Sequence, residues 1–257
     1  TVDNVAFQGV DRIGLDSSTT AAFNAADQSD LRGWFGNVKL ETINGTLTVN
    51  EGVANGLDWA NMGVGTQYDD ILLAANGLGS DVILNAAVEV GNNVTILARD
   101  SVEQNVDTLG SLGDIRASGS IDVEAVGGSI TMADGTVSQT LGGNIRYAAA
   151  GDVTLGVLNA GGGMVQVVAG RDILDARADT VDHDPLDPAF ALQTGAVRTE
   201  NIMASAAQMT AGRNIGQGQN EGVSNPLDLS VDTLAAVAGG SLYLYESTDV
   251  TVDSVAF

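Results

Sequence analysis

The 257-residue chain carries 33 acidic and 10 basic residues, a net charge of −23, with 44% hydrophobic but only 4% aromatic residues and no cysteine. This balance excludes a phosphate-backbone binder and disfavours an anionic membrane surface, and it leaves no disulfide, thiolate metal site or cysteine nucleophile. The apolar content is too high for disorder, so the chain reads as a single folded unit, 1–257, with a core of Val, Ile, Leu and Ala.

In chain order, residues 1–7 read TVDNVAF and residues 251–257 read TVDSVAF, an offset of 250 residues. The economical explanation is one unit plus a short overlap from a head-to-tail array. A single domain whose two end strands happen to be alike is the alternative. In the array, Val2, Val5 and Phe7, with their counterparts Val252, Val255 and Phe257, are the self-assembly residues, and the partners are neighbouring copies of the same repeat. Stalks, fibres and adhesins use such arrays more readily than enzymes do. Zero cysteines suit a bacterial-type surface protein. No apolar stretch approaches the roughly 18 residues needed to cross a bilayer, and any secretion signal is expected outside these residues.

Residues 19–36, TTAAFNAADQSDLRGWFG, hold Phe23, Trp34 and Phe35 and predict a side-packed helix or loop. From about Ser80 a phrase recurs: Gly, Asp, Asn or Ser, then a β-branched residue or Leu, then alternation. It appears as SDVIL, NNVTIL, GDIRA, GSIDVEA, GSITMA, GNIRYAA, GDVTLGV, GMVQVVA and RDILDA. Period-2 alternation marks strands with one buried face. The Gly and Asn or Asp at each start read as bends, where positive φ is often required.

Spacing carries more than the phrases. Ile121 to Ile145 is 24 residues, Ile130 to Val153 is 23, and both Val153 to Ile173 and Ile145 to Val165 are 20. Two interleaved ladders at this period predict an all-β parallel β-helix, in which each coil stacks on the last. An antiparallel sandwich has no reason to hold two registers at a constant offset, and a doubly wound α/β fold needs helices that these gaps cannot hold. Val153, Leu155, Val165, Val167 and Ile173 are expected inside, with Thr154, Gln166 and Asp172 outside. About a dozen coils at about 4.8 Å each would extend roughly 55 to 60 Å.

Residues 175–225 break the pattern and read as irregular, with HDPLDP in a long surface loop. Strands resume in the last stretch, where Leu229, Leu234, Leu242 and Val250 look like successive inward anchors. This stretch, with GDVTLGVLNAGGG and AGRDILDA, resembles the haemagglutinin-like (filamentous haemagglutinin-type) repeats of giant bacterial surface proteins. The resemblance covers roughly Asp81 to Phe257 and rests on degenerate phrases. It implies a right-handed β-helix, export from the cell to its surface, and a role in adhesion or fibre formation. None of that family's functional residues maps onto this chain.

Catalytic signals are sparse. His183 is the lone histidine, in a polar, proline-flanked segment that reads as an exposed loop, and no G-x-S-x-G elbow or phosphate loop is present. Asp179, Asp182, Asp184 and Asp187 crowd that loop and are candidate Ca²⁺ ligands. Asp81, in GLGSDVIL, belongs to a single degenerate copy of a calcium-binding nonapeptide. Carboxylates, scarce basic residues and scattered rings do not cluster as a sugar-cleaving site would require. The expectation is therefore no enzyme and no cofactor, with calcium the one candidate ion. The reading is a structural repeat of a secreted cell-surface fibre. Its rivals are a glycan- or receptor-binding adhesin module and, behind that, a β-helical polysaccharide lyase or hydrolase.

Overall fold

The computed structural model describes residues 10–13, 19–23, 31–33, 35–50, 62–66, 68–106, 113–177, 200–220 and 223–257. Among them there is no helix; the chain forms a parallel β-solenoid. Each turn lays down three short strands, and each strand hydrogen-bonds in parallel to its equivalent one turn on. The first face runs through β3 (Leu31–Gly33), β6 (Met62–Thr66), β9 (Ala87–Val90), β12 (Ile115–Ala117), β15 (Val137–Thr140) and β18 (Val157–Asn159). The second runs through β4 (Val38–Thr42), β7 (Ile71–Ala75), β10 (Val94–Ala98), β13 (Ile121–Ala125), β16 (Ile145–Ala149) and β19 (Met164–Ala169). The third stacks β5 (Leu47–Val49), β8 (Val82–Leu84), β11 (Val102–Gln104), β14 (Ile130–Met132), β17 (Val153–Leu155) and β20 (Ile173–Asp175).

Six three-stranded turns are continued by β21 (Ile202–Ala211) and β24 (Leu227–Ala238), which run unbroken across the first two faces. A last partial rung adds β25 (Leu244–Glu246) and β26 (Thr251–Val252) on β24. The third face continues through single bridges, Ile173 to Ile215 and Ile215 to Leu242.

The spacings legible in the sequence are the hydrogen-bonded registers. Ile121 pairs with Ile145, Ile130 with Val153, Val153 with Ile173, and Ile145 with Val165. Side chains alternate across a strand, so equal register stacks like on like and builds aliphatic columns. Val153, Leu155, Val165, Val167 and Ile173 are all fully buried, whereas Thr154, Gln166 and Asp172 sit on the solvent side, partly covered.

Several expectations change. The described residues make nine rungs, not a dozen, because coil length is far from constant. Val165 to Ala207 spans 42 residues, while Leu234 to Val252 spans 18. At about 4.8 Å per rung the stack is about 40 Å long.

Within 175–225, β21 is a full member of the coil, paired to β18, β19 and β24. Its inward residues, Ile202, Ala204, Ala207, Met209 and Ala211, are mostly small and unbranched, which hides the strand from a search for Val and Ile. Residues 178–199 lie outside those described. β22 (Gln217–Asn220) and β23 (Val223–Asn225) form an antiparallel hairpin. Within 19–36, β2 (Thr19–Phe23) pairs antiparallel with β1 (Val10–Ile13), and β3 belongs to the first rung.

Of the four anchors, Leu229 and Leu234 are buried, but Leu242 is 47% exposed and Val250 37%. Leu242 does stand in the Ile173–Ile215 column, with no rung over it among the described residues. Val250 is out of step, because the residue in register with Leu234 is Val252.

Several glycines, among them Gly79, Gly135, Gly142 and Gly161, do take the positive φ expected of bends, while others at the corners serve a second purpose. Gly143, which opens GNIRYAA, does not have positive φ. A Cβ there would lie 2.1 Å from the carbonyl oxygen of Gly119 in the rung below. Gly170, Gly212 and Gly239 repeat the relation at another corner, each against the carbonyl one rung down. Rungs approach so closely at these corners that only a hydrogen fits.

Candidate functional surfaces

The short polar residue that opens each strand phrase at these corners forms a second ladder. At the corner before the third face, Asp81 Oδ1 accepts Ser101 N–H at 3.0 Å, Ser101 Oγ accepts Ser129 N–H at 3.2 Å, and Ser129 Oγ accepts Asp152 N–H at 3.1 Å. Asp152 Oδ1 then accepts Asp172 N–H at 3.0 Å, Asp172 Oδ1 accepts Asn214 N–H at 2.8 Å, and Asn214 Oδ1 accepts Ser241 N–H at 2.9 Å. The side chain always accepts and the next rung always donates. The corner before the second face does the same: Asp70 Oδ1 accepts Asn93 N–H, Asn93 Oδ1 accepts Ser120 N–H, and Asn144 Oδ1 accepts Met164 N–H. This is why the recurring phrase uses Asp, Asn or Ser, the short side chains whose oxygen reaches a nearby backbone N–H.

Inside the coil one cluster breaks the aliphatic rule. The Tyr147 hydroxyl, fully buried, donates to Gln104 Oε1 at 2.7 Å and lies 2.6 Å from Ser138 Oγ. Gln104 Nε2 donates to the Gly113 carbonyl at 2.8 Å. Burial pushes the Tyr147 hydroxyl well above the ordinary phenol value, so it is neutral and can only serve as a hydrogen-bonding group. Sequence reading passed over Gln104 and Ser138, since a polar residue in a strand is normally placed outside.

On the first face, outward residues of successive rungs line a shallow groove parallel to the solenoid axis. Glu89, Arg116 and Gln139 form one wall; Gly91, Ser118 and Leu141 form the other, and the strand backbone at Val90 and Ala117, whose side chains belong to the core, lies between them. The cleft is about 330 Å³. Arg116 bridges Glu89 at 3.1 Å and Asp114 at 2.7 Å. Asp114 is nearly fully buried and also accepts Val137 N–H at 2.8 Å. Burial raises its carboxyl above the usual value, against the opposing pull of Val137 N–H and Arg116. On the same corner, after β3 and β6, Phe35 and Tyr68 stack with ring centroids 5.6 Å apart and 13° between planes. They remain 82% and 58% exposed.

Among the described residues no rung lies over the last one. Val252, in register over Leu234, is 79% exposed, and Phe257 is 46% exposed. Val255 is half-buried, and its carbonyl accepts Gln208 Nε2–H at 2.8 Å. Val2, Val5 and Phe7 lie outside the described residues, as do His183, Asp179, Asp182, Asp184 and Asp187. Asp81, the remaining calcium candidate, is a rung of the corner ladder. Among the described residues no three His, Asp or Glu side chains are placed to hold a metal ion, and no helix is long and apolar enough to cross a membrane. Tyr243 is 42% exposed and Tyr245 half-buried in the last rung. No family model matches the chain, and no curated protein or solved structure gives a match.

Proposed function

We propose that this chain is a structural repeat of a secreted bacterial cell-surface fibre or stalk, stacking head to tail on further copies and serving adhesion or attachment. The observation that carries the reading is the end of the stack. The columns Ile173–Ile215–Leu242 and Leu234–Val252 arrive there in register with no described rung over them, the second on the strand whose sequence restates residues 1–7. An unpaired parallel rung is a template for another strand, and a head-to-tail contact that does not close on itself builds a filament. In the array, Val2 of each following copy would sit over Leu234 of the copy before it, as Val252 does here. The acidic surface would hold neighbouring fibres apart at low salt and let divalent ions such as calcium bridge them.

Light scattering on the purified chain tests this. End-to-end association that rises with concentration and is lost in Val252→Asp is the expected result, since Val252 is exposed and its replacement leaves the core alone. A strictly monomeric chain over a wide concentration range would sink the proposal. The reading assigns no catalytic turnover. Release of reducing ends or unsaturated sugars, abolished by one carboxylate substitution, would favour a polysaccharide lyase or hydrolase instead.

A further inference from the structure

We propose that the groove on the first face is a binding site for an extended, neutral polysaccharide chain lying along the solenoid axis. Four features of the groove converge on that ligand. It is straight and parallel to the axis, because its walls are register-paired residues of rungs three to five: Glu89 pairs with Arg116, and Arg116 with Gln139. Its rungs repeat at about 4.8 Å, close to the length of one pyranose in an extended chain, so each sugar would meet one rung's set of polar groups. Those groups are a carboxylate, a guanidinium and an amide in succession, with the Ser118 hydroxyl opposite. They offer both donors and acceptors, which suits hydroxyl groups that do both. Finally, the exposed Phe35–Tyr68 stack stands on the same corner just before the groove begins. Aromatic faces bury the C–H side of a sugar ring while leaving its hydroxyls free, the apolar-body, polar-edge match that favours aromatic residues at wet interfaces.

Charge selects the neutral class. Arg116 is already neutralised by Glu89 and Asp114, and a chain of net charge −23 repels uronic or sulfated polymers. Leu141, 79% exposed on the wall at the far end of the groove, would give one more sugar an apolar contact.

The site does not depend on end-to-end stacking, so it can be tested whatever the assembly state. The probes are the β-1,4-linked hexasaccharides of glucose and of N-acetylglucosamine, titrated calorimetrically at millimolar concentration into the whole chain. Binding of at least one hexamer is expected, and much weaker binding of its disaccharide, since a short ligand spans too few rungs. Tyr68→Ala and Gln139→Ala change exposed or half-exposed side chains and should leave the melting temperature unchanged. Each should weaken the hexamer by about fivefold to tenfold, the scale of one lost ring or hydrogen bond. Failure of both hexamers to bind overturns the proposal, as does binding that neither variant alters or that an anionic oligosaccharide matches.

Discussion

The carboxylate of Asp152 accepts the backbone N–H of Asp172 at 3.0 Å, one rung on, so two acidic side chains stack directly along the corner of the coil. Their repulsion is offset by Arg171, which pairs with Asp152, and by Arg213, which pairs with Asp172 and lies 3.5 Å from Asp152. The chain's few arginines are thus spent partly where the ladder uses Asp rather than Ser or Asn. The ion pairs are half-exposed and contribute little alone; the hydrogen bonds to otherwise unpaired corner N–H groups contribute more.

That division predicts the behaviour of Asp172. Asp172→Ala strands the Asn214 N–H and Nδ2 donors, which it accepts at 2.8 and 3.0 Å, and should cost about 1–3 kcal/mol. Asp172→Asn keeps the acceptor and should recover most of that loss. Urea unfolding of both variants checks this, and equal losses would mean that charge, not hydrogen bonding, holds the corner.

In the core, Val153→Asp should cost several kcal/mol, enough to unfold a marginal domain, because it places an unpaired charge in a fully buried aliphatic column. Val153→Ile adds one methylene and should cost no more than about 1–3 kcal/mol. Thermal melts of the pair separate charge from volume.

Gly143→Ala should destabilise by about 1–3 kcal/mol or more, since a Cβ 2.1 Å from the Gly119 carbonyl must push two rungs apart. Gly135→Ala, at φ +89° with nothing within 4 Å, should cost only the left-handed strain of about 1 kcal/mol. Comparison of their denaturation midpoints decides whether backbone approach or backbone conformation dominates.

Asp114 makes a pH prediction. Its folded carboxyl holds its proton more tightly than in the unfolded chain. Its contribution to stability therefore grows as pH falls through the folded value and is complete below the unfolded one. Melting temperatures of wild type and Asp114→Asn, followed from pH 7 downward, should show wild type gaining on the variant through the acidic range. A difference that is flat or shrinks on acidification would contradict the burial argument.

Much of this architecture was legible because the second and third faces use Val and Ile at fixed offsets, as at Ile121–Ile145 and Ile130–Val153. The first face was hidden. Its β15 reads VSQT and buries Ser138 and Thr140 rather than β-branched aliphatics, so alternation points the wrong way. The groove was hidden for the same reason, since Glu89, Arg116 and Gln139 are far apart in sequence and meet only through that unseen register. β21 was lost among alanines. The corner Asp, Asn and Ser read from the sequence as turn residues only, because a side chain that caps the next coil leaves no local trace.

The buried Tyr147–Gln104–Ser138 cluster has a consequence for how the chain finds its register. Columns of Val, Ile and Leu are nearly interchangeable: a strand slipped by two residues would keep its inward face inward and bury similar area. Such slips form a set of near-degenerate decoys. Only one alignment brings a phenol, an amide and a hydroxyl from three separate strands within bonding distance, and every slipped alternative leaves at least one of them dry and unpaired. A polar triad that adds little to total stability can therefore widen the gap between the native stack and its misthreaded neighbours.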